Sequence, residues 1–257
     1  MTTDPRLRAE INAHPYPLLF ATVSGAHLYG FPSADSDHDL RGVHLLPLEH
    51  LVGLSTGEET VSLEHVRDGA EVDLVTHEAC KFLRLLLRNN GYVLEQLYSP
   101  LVVHTTPGHA ELKRVARGCI TRGCVRHYAG FAAGQWRLWD GEHPRRLKPL
   151  LYLYRVLLTG ITLMRTGRVN ASLPSCNYEM GLPYIDDLIA RKVNGDEQGI
   201  IRDADVEFHR AEYLRLHALL VESAERSTLP DTPGESTRRA LHDLLVQLRM
   251  QPLAAAA

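Results

Sequence analysis

Two aspartates, Asp37 and Asp39, stand two residues apart behind a glycine-flanked turn, Ser24-Gly-Ala-His-Leu-Tyr-Gly30. The turn and the run Ser36-Asp-His-Asp-Leu-Arg-Gly42 together fill 19 residues. On an extended segment, residues i and i+2 leave on the same face, so this spacing predicts two carboxylates held side by side. Such a pair repels unless cations sit between its members. Mg²⁺ suits them, because it takes oxygen ligands, often one or two carboxylates together with substrate phosphates. The apolar run Leu18-Leu-Phe-Ala-Thr-Val23 ahead of the turn reads as a buried strand that delivers the chain to a ligand. Glycines there let the backbone approach a phosphate closely, and successive N–H groups of such a turn can point at the anion.

A third acid stands in Ala70-Glu-Val-Asp-Leu-Val75, where Val72, Leu74 and Val75 bracket Asp73. An acid inside a strand-like apolar run is costly to bury without a partner or a metal, which marks Asp73 as the third carboxylate and Glu71, on the same face, as the fallback. Three carboxylates and a glycine turn suit two-metal phosphoryl or nucleotidyl transfer, in which two cations stabilise the attacking and leaving oxygens of an in-line displacement. A carboxylate beside the metal can also take the proton from an attacking hydroxyl. Arg41 follows the aspartate pair, and its fork suits either an aspartate or a substrate phosphate. His27, inside the turn, is placed for phosphate or base, or for a structural hydrogen bond to the loop.

The elements that must position these groups fall into two halves. Residues 4–13 read as a short helix cut by Pro15 and Pro17, 18–23 as the first strand, Gly25–Gly30 as a turn or short helix, and 38–46 as the second strand. A brief helix at 48–53 is followed by two extended runs, 59–66 and 71–76, around the turn signal Arg67-Asp-Gly69. A helical period begins at His77 with Phe82, Leu83, Leu85, Leu86 and Leu87. Beyond Pro107 the strand signals stop, and 108–139, 145–167, 183–193, 203–226 and 235–249 read as helices. The expected fold is therefore α/β of the α+β kind, a small mixed sheet followed by an α-helical domain. The expected domains are 1–105 and 106–253, with an unstructured Ala-rich tail from Ala254.

Composition is that of an ordinary globular chain, with 44% apolar and 23% charged residues among 257. No run approaches the roughly 20 apolar residues needed to span a bilayer, and no N-terminal stretch has the order of a signal peptide. The expectation is a cytoplasmic protein without a membrane partner. Cys80, Cys119, Cys124 and Cys176 fit no common zinc spacing and are expected to be reduced. The net charge of −3 is unevenly spread: residues 111–170 carry twelve Lys and Arg against three acids, a surplus of +9 that leaves −12 elsewhere. Such a segment suits a triphosphate or a nucleic-acid backbone, or is a solvated helical face. Within it Lys148, Tyr152 and Arg155 share one helix face at i, i+4 and i+7. Trp136 and Trp139, i and i+3 on a basic helix, suit stacking on a base or, as the favoured expectation, packing in a core.

The pattern Ser-Gly-x-His-x-Tyr-Gly…Ser-Asp-x-Asp-x-Arg-Gly resembles the signature of the DNA polymerase β-type nucleotidyltransferase superfamily. The match is nearest to the RNA-ligase-associated, RlaP-like or YcgL-like, nucleotidyltransferases. Ten residues, His27 to Ser36, separate Gly25-Ala26 from Asp37-His-Asp39, which matches the superfamily spacing between its Gly-Ser pair and its Asp-x-Asp. The similarity extends through Lys81–Leu87 and Asn90–Glu95, and more weakly through His127–Gly130 and Lys148–Arg155.

The resemblance implies transfer of NMP from an NTP to a hydroxyl acceptor, with Asp37 and Asp39 on two Mg²⁺ ions (Mn²⁺ as a substitute) and Asp73 on the catalytic metal as base. It implies a nucleotide site made of Ser24, Gly25, Ala26, His27, Ser36 and Arg41, with Lys148, Tyr152 and Arg155 offered to the triphosphate. An RNA or tRNA acceptor and an RNA ligase partner are further implications; the NTP, the acceptor and the oligomeric state stay open. One departure stands out: the usual Ser of the Gly-Ser pair is Ala26, so a hydroxyl for the terminal phosphates must come from Ser24 or Ser36. The rival expectation is a nucleotide- or RNA-binding module of the same fold that has lost catalysis.

Overall fold

The computed structural model describes residues 4–34, 36–67, 69–195 and 205–250. Five strands, β1 (Leu18–Val23), β2 (His38–His44), β3 (Thr60–Arg67), β4 (Ala70–Glu78) and β5 (Val102–Thr105), form one mixed sheet in the order β3-β4-β2-β1-β5. Every neighbouring pair is antiparallel except β2 and β4, which run parallel. Alternation of side chains gives the sheet two working faces. On one, Val23, Leu40, Val72, Leu74 and Val103 pack with Leu7 of α1 (Pro5–Ala13). The α1 helix starts where Asp4 accepts from the Arg6 amide, with Pro5 at the first helical position.

On the other face, Phe20 meets Phe82 of α4 (Ala79–Leu87) edge to face and stacks on His109 of α6 (Pro107–Ala116). Thr22 there donates to the Gln96 carbonyl of α5 (Gly91–Tyr98). The α+β architecture expected from the pattern is thus the one observed, with differences at element ends. β2 stops at His44, although Leu45 and Leu46 remain buried. β4 continues to Glu78, because the Glu78 carboxylate caps α4 by accepting from the Cys80 amide and fixes where strand gives way to helix. β5 is a four-residue strand with no alternation long enough to announce it, made by pairing with β1. The short α2 (Gly25–Tyr29) and α3 (Glu49–Val52) lie where short helices were expected. Asp68, residues 203–204 and the tail from Ala254 lie outside the described residues.

The chain divides into two compact units, each assembled from separate stretches. The first comprises Met1–Gly25, Asp37–Ile120 and Thr232–Ala257, and the second Ala26–Ser36 and Thr121–Asp231. This differs from a linear division at 105/106. In the first unit, α12 (Glu235–Met250) packs on α6 and α4, its Arg249 pairs with Glu78 at the end of β4 at 2.7 Å, and a Cβ at Gly118 would collide with Thr237. The expected helix 108–139 is two, α6 and α7 (Val125–Gly141), separated by two 3-10 turns at 117–119 and 122–124.

The second unit is built on α8 (Leu147–Thr166), against which α7, α9 (Leu173–Met180), α10 (Pro183–Asn194) and α11 (Val206–Glu225) pack. α9 was not expected; Ser172 caps its start and Gly181 closes it. Among the described residues α8 is one helix long and apolar enough to cross a membrane, but 83% of that stretch is buried, as in a core helix. Trp139 and Trp136 lie in this unit's core, Trp136 stacked on Tyr213. Cys80, Cys119, Cys124 and Cys176 form no disulfide.

Candidate active site

The parallel register of β2 and β4 sets Asp39 opposite Asp73. Both carboxylates rise from the sheet face that α4 and α5 share, and one guanidinium joins them. Nη2 of Arg41 lies 2.8 Å from Oδ1 of Asp39 and 2.9 Å from Oδ2 of Asp73. Nη1 donates to the carbonyls of Leu40 and Asp73 at 2.8 and 2.9 Å, and Nε to the Tyr92 hydroxyl at 3.1 Å. Burial works against the Arg41 charge, but Tyr92 and the carboxylates of Asp39 and Asp73 outweigh it and hold the guanidinium above its ordinary pKa. The fork is engaged with Asp39 and Asp73, one of the two uses the sequence left open for Arg41.

Asp37 stands apart from this triad. β2 begins at His38, so Asp37 lies in the coil ahead of it and is exposed, rather than on a shared strand face with Asp39. It lines an open cleft of about 520 Å³ with Glu64, Glu71 and Asp73. Glu64 is the cross-strand partner of Asp73 on β3; it and Tyr92 went unmarked in the sequence. Tyr92 carries one local signal: Asn90 caps α5 by accepting from the amides of Tyr92 and Val93, which fixes the first turn on which Tyr92 stands.

The glycine turn meets the aspartates through Gly25. Its φ is +58°, and a Cβ there would occupy the space of the Asp39 carboxylate, so glycine is required by conformation and by space. The Ser24 amide continues the β1–β2 ladder by donating to the Asp39 carbonyl at 2.8 Å. Ser24 is buried, and its hydroxyl has no hydrogen-bond partner. Ala26 is buried as well, its carbonyl accepting from the amides of Gly30 and Phe31.

Within the second unit, the segment after Gly25 is built into the helices. Tyr29 lies beneath the Arg155 guanidinium at 3.9 Å and meets Tyr152 edge to face, as does Phe31. Tyr152 and Arg155 thus share a helix face as the spacing predicted, and that face holds the Tyr29 segment. Arg155 is only 3% exposed; Lys148 is half-buried about two turns earlier. The Ser36 hydroxyl accepts from the Ser33 amide and meets the Ser33 hydroxyl at 3.0 Å, while Nε2 of His27 is 3.5 Å from the Ser36 carbonyl.

The donor set of the first unit suits a hard cation. Every donor is oxygen, and Oδ1 of Asp73 is buried without a hydrogen-bond partner, the state of an acceptor that a cation would satisfy. Among the described residues no three His, Cys, Asp or Glu side chains gather closely enough to hold a metal together. Arg41 supplies the positive charge between Asp39 and Asp73, and Asp37 stands on the coil.

The site is thus carboxylate-rich, with Asp39 and Asp73 on adjacent parallel strands of a small mixed sheet beside a positive-φ glycine. The model of RlaP, the RNA repair pathway DNA polymerase beta family, matches residues 2–247, and the chain belongs to that family. The resemblance read from the Ser24–Gly42 motif is thereby borne out. The uncharacterised protein MJ0002 of Methanocaldococcus jannaschii is 29% identical over 229 residues, covering 86% of this chain and 90% of its own. The uncharacterised protein YcgL of Bacillus subtilis is 27% identical over 154 residues, covering 59% of this chain and 58% of its own. Among solved structures, a nucleotidyltransferase-like protein from Exiguobacterium sibiricum aligns with 96% of this chain and 75% of its own, at 11% identity and a TM-score of 0.35.

Proposed function

We propose that this polymerase β-family protein is a Mg²⁺-dependent nucleotidyltransferase that moves NMP from an NTP to a hydroxyl, with an RNA end as acceptor. The observation that carries the reading is the Asp39–Arg41–Asp73 triad beside Gly25, with the Asp73 Oδ1 left without a partner. Asp39 and Asp73 are the residues to hold the cation, joined by Asp37 from the coil. When bound, Mg²⁺ supplies neutralisation of phosphate charge and activation of the attacking hydroxyl. Arg41 keeps the two carboxylates together and oriented. Asp73, with Oδ1 left without a hydrogen-bond partner, is the group to accept the acceptor hydroxyl's proton. The backbone of Gly25 and Ala26 is offered to the phosphates, and Ser24 replaces the hydroxyl that Ala26 lacks. Lys148, Tyr152 and Arg155 are proposed to serve the triphosphate, Arg155 and Tyr152 by fixing the Tyr29 segment. An RNA ligase partner and a cytoplasmic location complete the proposal.

The test is incorporation of labelled NMP into RNA ends, with protein and small hydroxyl acceptors in parallel, using wild type and Asp39→Asn/Asp73→Asn. Labelling by wild type and its loss in the double variant is expected; labelling that survives the double substitution overturns the assignment. A second reading, a nucleotide-binding module without catalysis, is favoured by Ala26 and by the guanidinium between the two carboxylates. Metal-dependent NTP binding with no turnover on any acceptor would establish it.

A further inference from the structure

Lys192, in the last turn of α10, is buried at 1% exposure, and its Nζ donates to the Ser33 hydroxyl at 2.7 Å. Ser33 is itself buried and is tied to Ser36 twice, through its amide and its hydroxyl. Among the described residues no carboxylate pairs with Lys192. An ammonium removed from water with one neutral hydroxyl as partner is expensive. The carbonyl end of α10 offsets part of that cost, and two of the three ammonium donors still lack partners among the described residues. The two serine hydroxyls bring further rotatable donors to the same place. Ammonium and hydroxyl donors converging from α10 and from a tight Ser33–Ser36 turn are the chemistry that receives a tetrahedral oxyanion. Of the three residues, Ser36 is the half-buried one, through which the cluster reaches solvent.

We propose that Lys192, Ser33 and Ser36 form a phosphoryl-anion site within the second unit, holding one phosphate group of either a free phosphate or a polyphosphate tail. The anion supplies the missing counter-charge to Lys192 and pins the 26–36 segment to α10. The site needs no metal and no turnover, so it stands whether or not the protein transfers nucleotides.

The experiment measures affinity calorimetrically in EDTA for inorganic phosphate, tripolyphosphate and an NTP, with wild type, Lys192→Met, Ser33→Ala and Ser36→Ala. Wild type is expected to bind at least one of the three, with Lys192→Met weakened by tenfold or more and Ser33→Ala by about threefold, the scale of a lost charged and a lost neutral hydrogen bond. Binding of phosphate itself identifies the free anion as the source; binding of tripolyphosphate and NTP alone identifies the tail. If Lys192→Met does not fold, the two serine variants decide. The proposal is overturned if wild type binds none of the three anions, or if the folded variants bind as wild type does.

Discussion

At the scale of single residues, Arg41 is the group on which the site's geometry turns. It holds two carboxylates from different strands with one nitrogen, and Tyr92 holds it in turn. Replacing it with Met leaves Asp39 and Asp73 facing each other without a cation. We expect a loss of about 2 kcal/mol in urea denaturation, below the 3–5 typical of a fully buried pair because both carboxylates are partly exposed. We also expect millimolar Mg²⁺ to restore part of that loss in Arg41→Met and to change wild type less; an equal response in both would show that these carboxylates do not hold the ion. Gly25→Ala tests the turn. Its Cβ collides with the Asp39 carboxylate and its φ costs roughly 1–2 kcal/mol of backbone strain. Displacing Asp39 in this way should lower kcat/KM for NMP transfer by about 100-fold or more.

The pair of elements that matters most is β2 and β4, because their parallel pairing places Asp39 beside Asp73 across 34 residues of chain. The α5 helix supports them from the same face through Tyr92. Its first turn depends on Asn90, so Asn90→Ala should cost about 1 kcal/mol in chemical denaturation. It should also raise KM less than it lowers kcat, because what loosens is the support of Arg41 and not a nucleotide contact. Most elements here were legible locally: β1, β2 and α1 follow from apolar runs and the prolines around them. Three were not. β5 is four residues long and exists through its pairing with β1; α9 hides in the loop-like composition Leu-Pro-Ser-Cys-Asn; and the break between α6 and α7 falls at two 3-10 turns, where Gly118 leaves room for Thr237.

For the whole molecule, buried histidines make the fold sensitive to acid. Burial lowers the pKa of His44, His109 and His209 to about 4 each, from 6.5 in the unfolded chain. Between those limits the unfolded state binds more protons, so their stabilising contribution is complete above pH 6.5 and is lost as pH falls toward 4. Urea denaturation at pH 7, 6 and 5 should show falling stability, and His109→Gln should flatten the slope by up to about 1.4 kcal/mol per pH unit. A slope unchanged by that substitution would exclude His109 as a contributor.

The sequence alone determined the local chemistry: a glycine-flanked turn before an Asp-x-Asp pair, an acid inside a later apolar run, a basic helical stretch, and the family that this pattern marks. Side-chain alternation and helical period are properties of neighbouring residues, so they can be read without knowing what lies alongside. What the tertiary structure decided depends on partners distant in sequence. Asp73 became the companion of Asp39 through strand register, Arg41 became the bridge between them, and α12 returned to the unit of the sheet. Lys192 met Ser33 across 159 positions. No local period encodes such meetings, because they arise when burial of apolar faces selects one packing of the elements, and the polar groups are then carried to wherever that packing sets them.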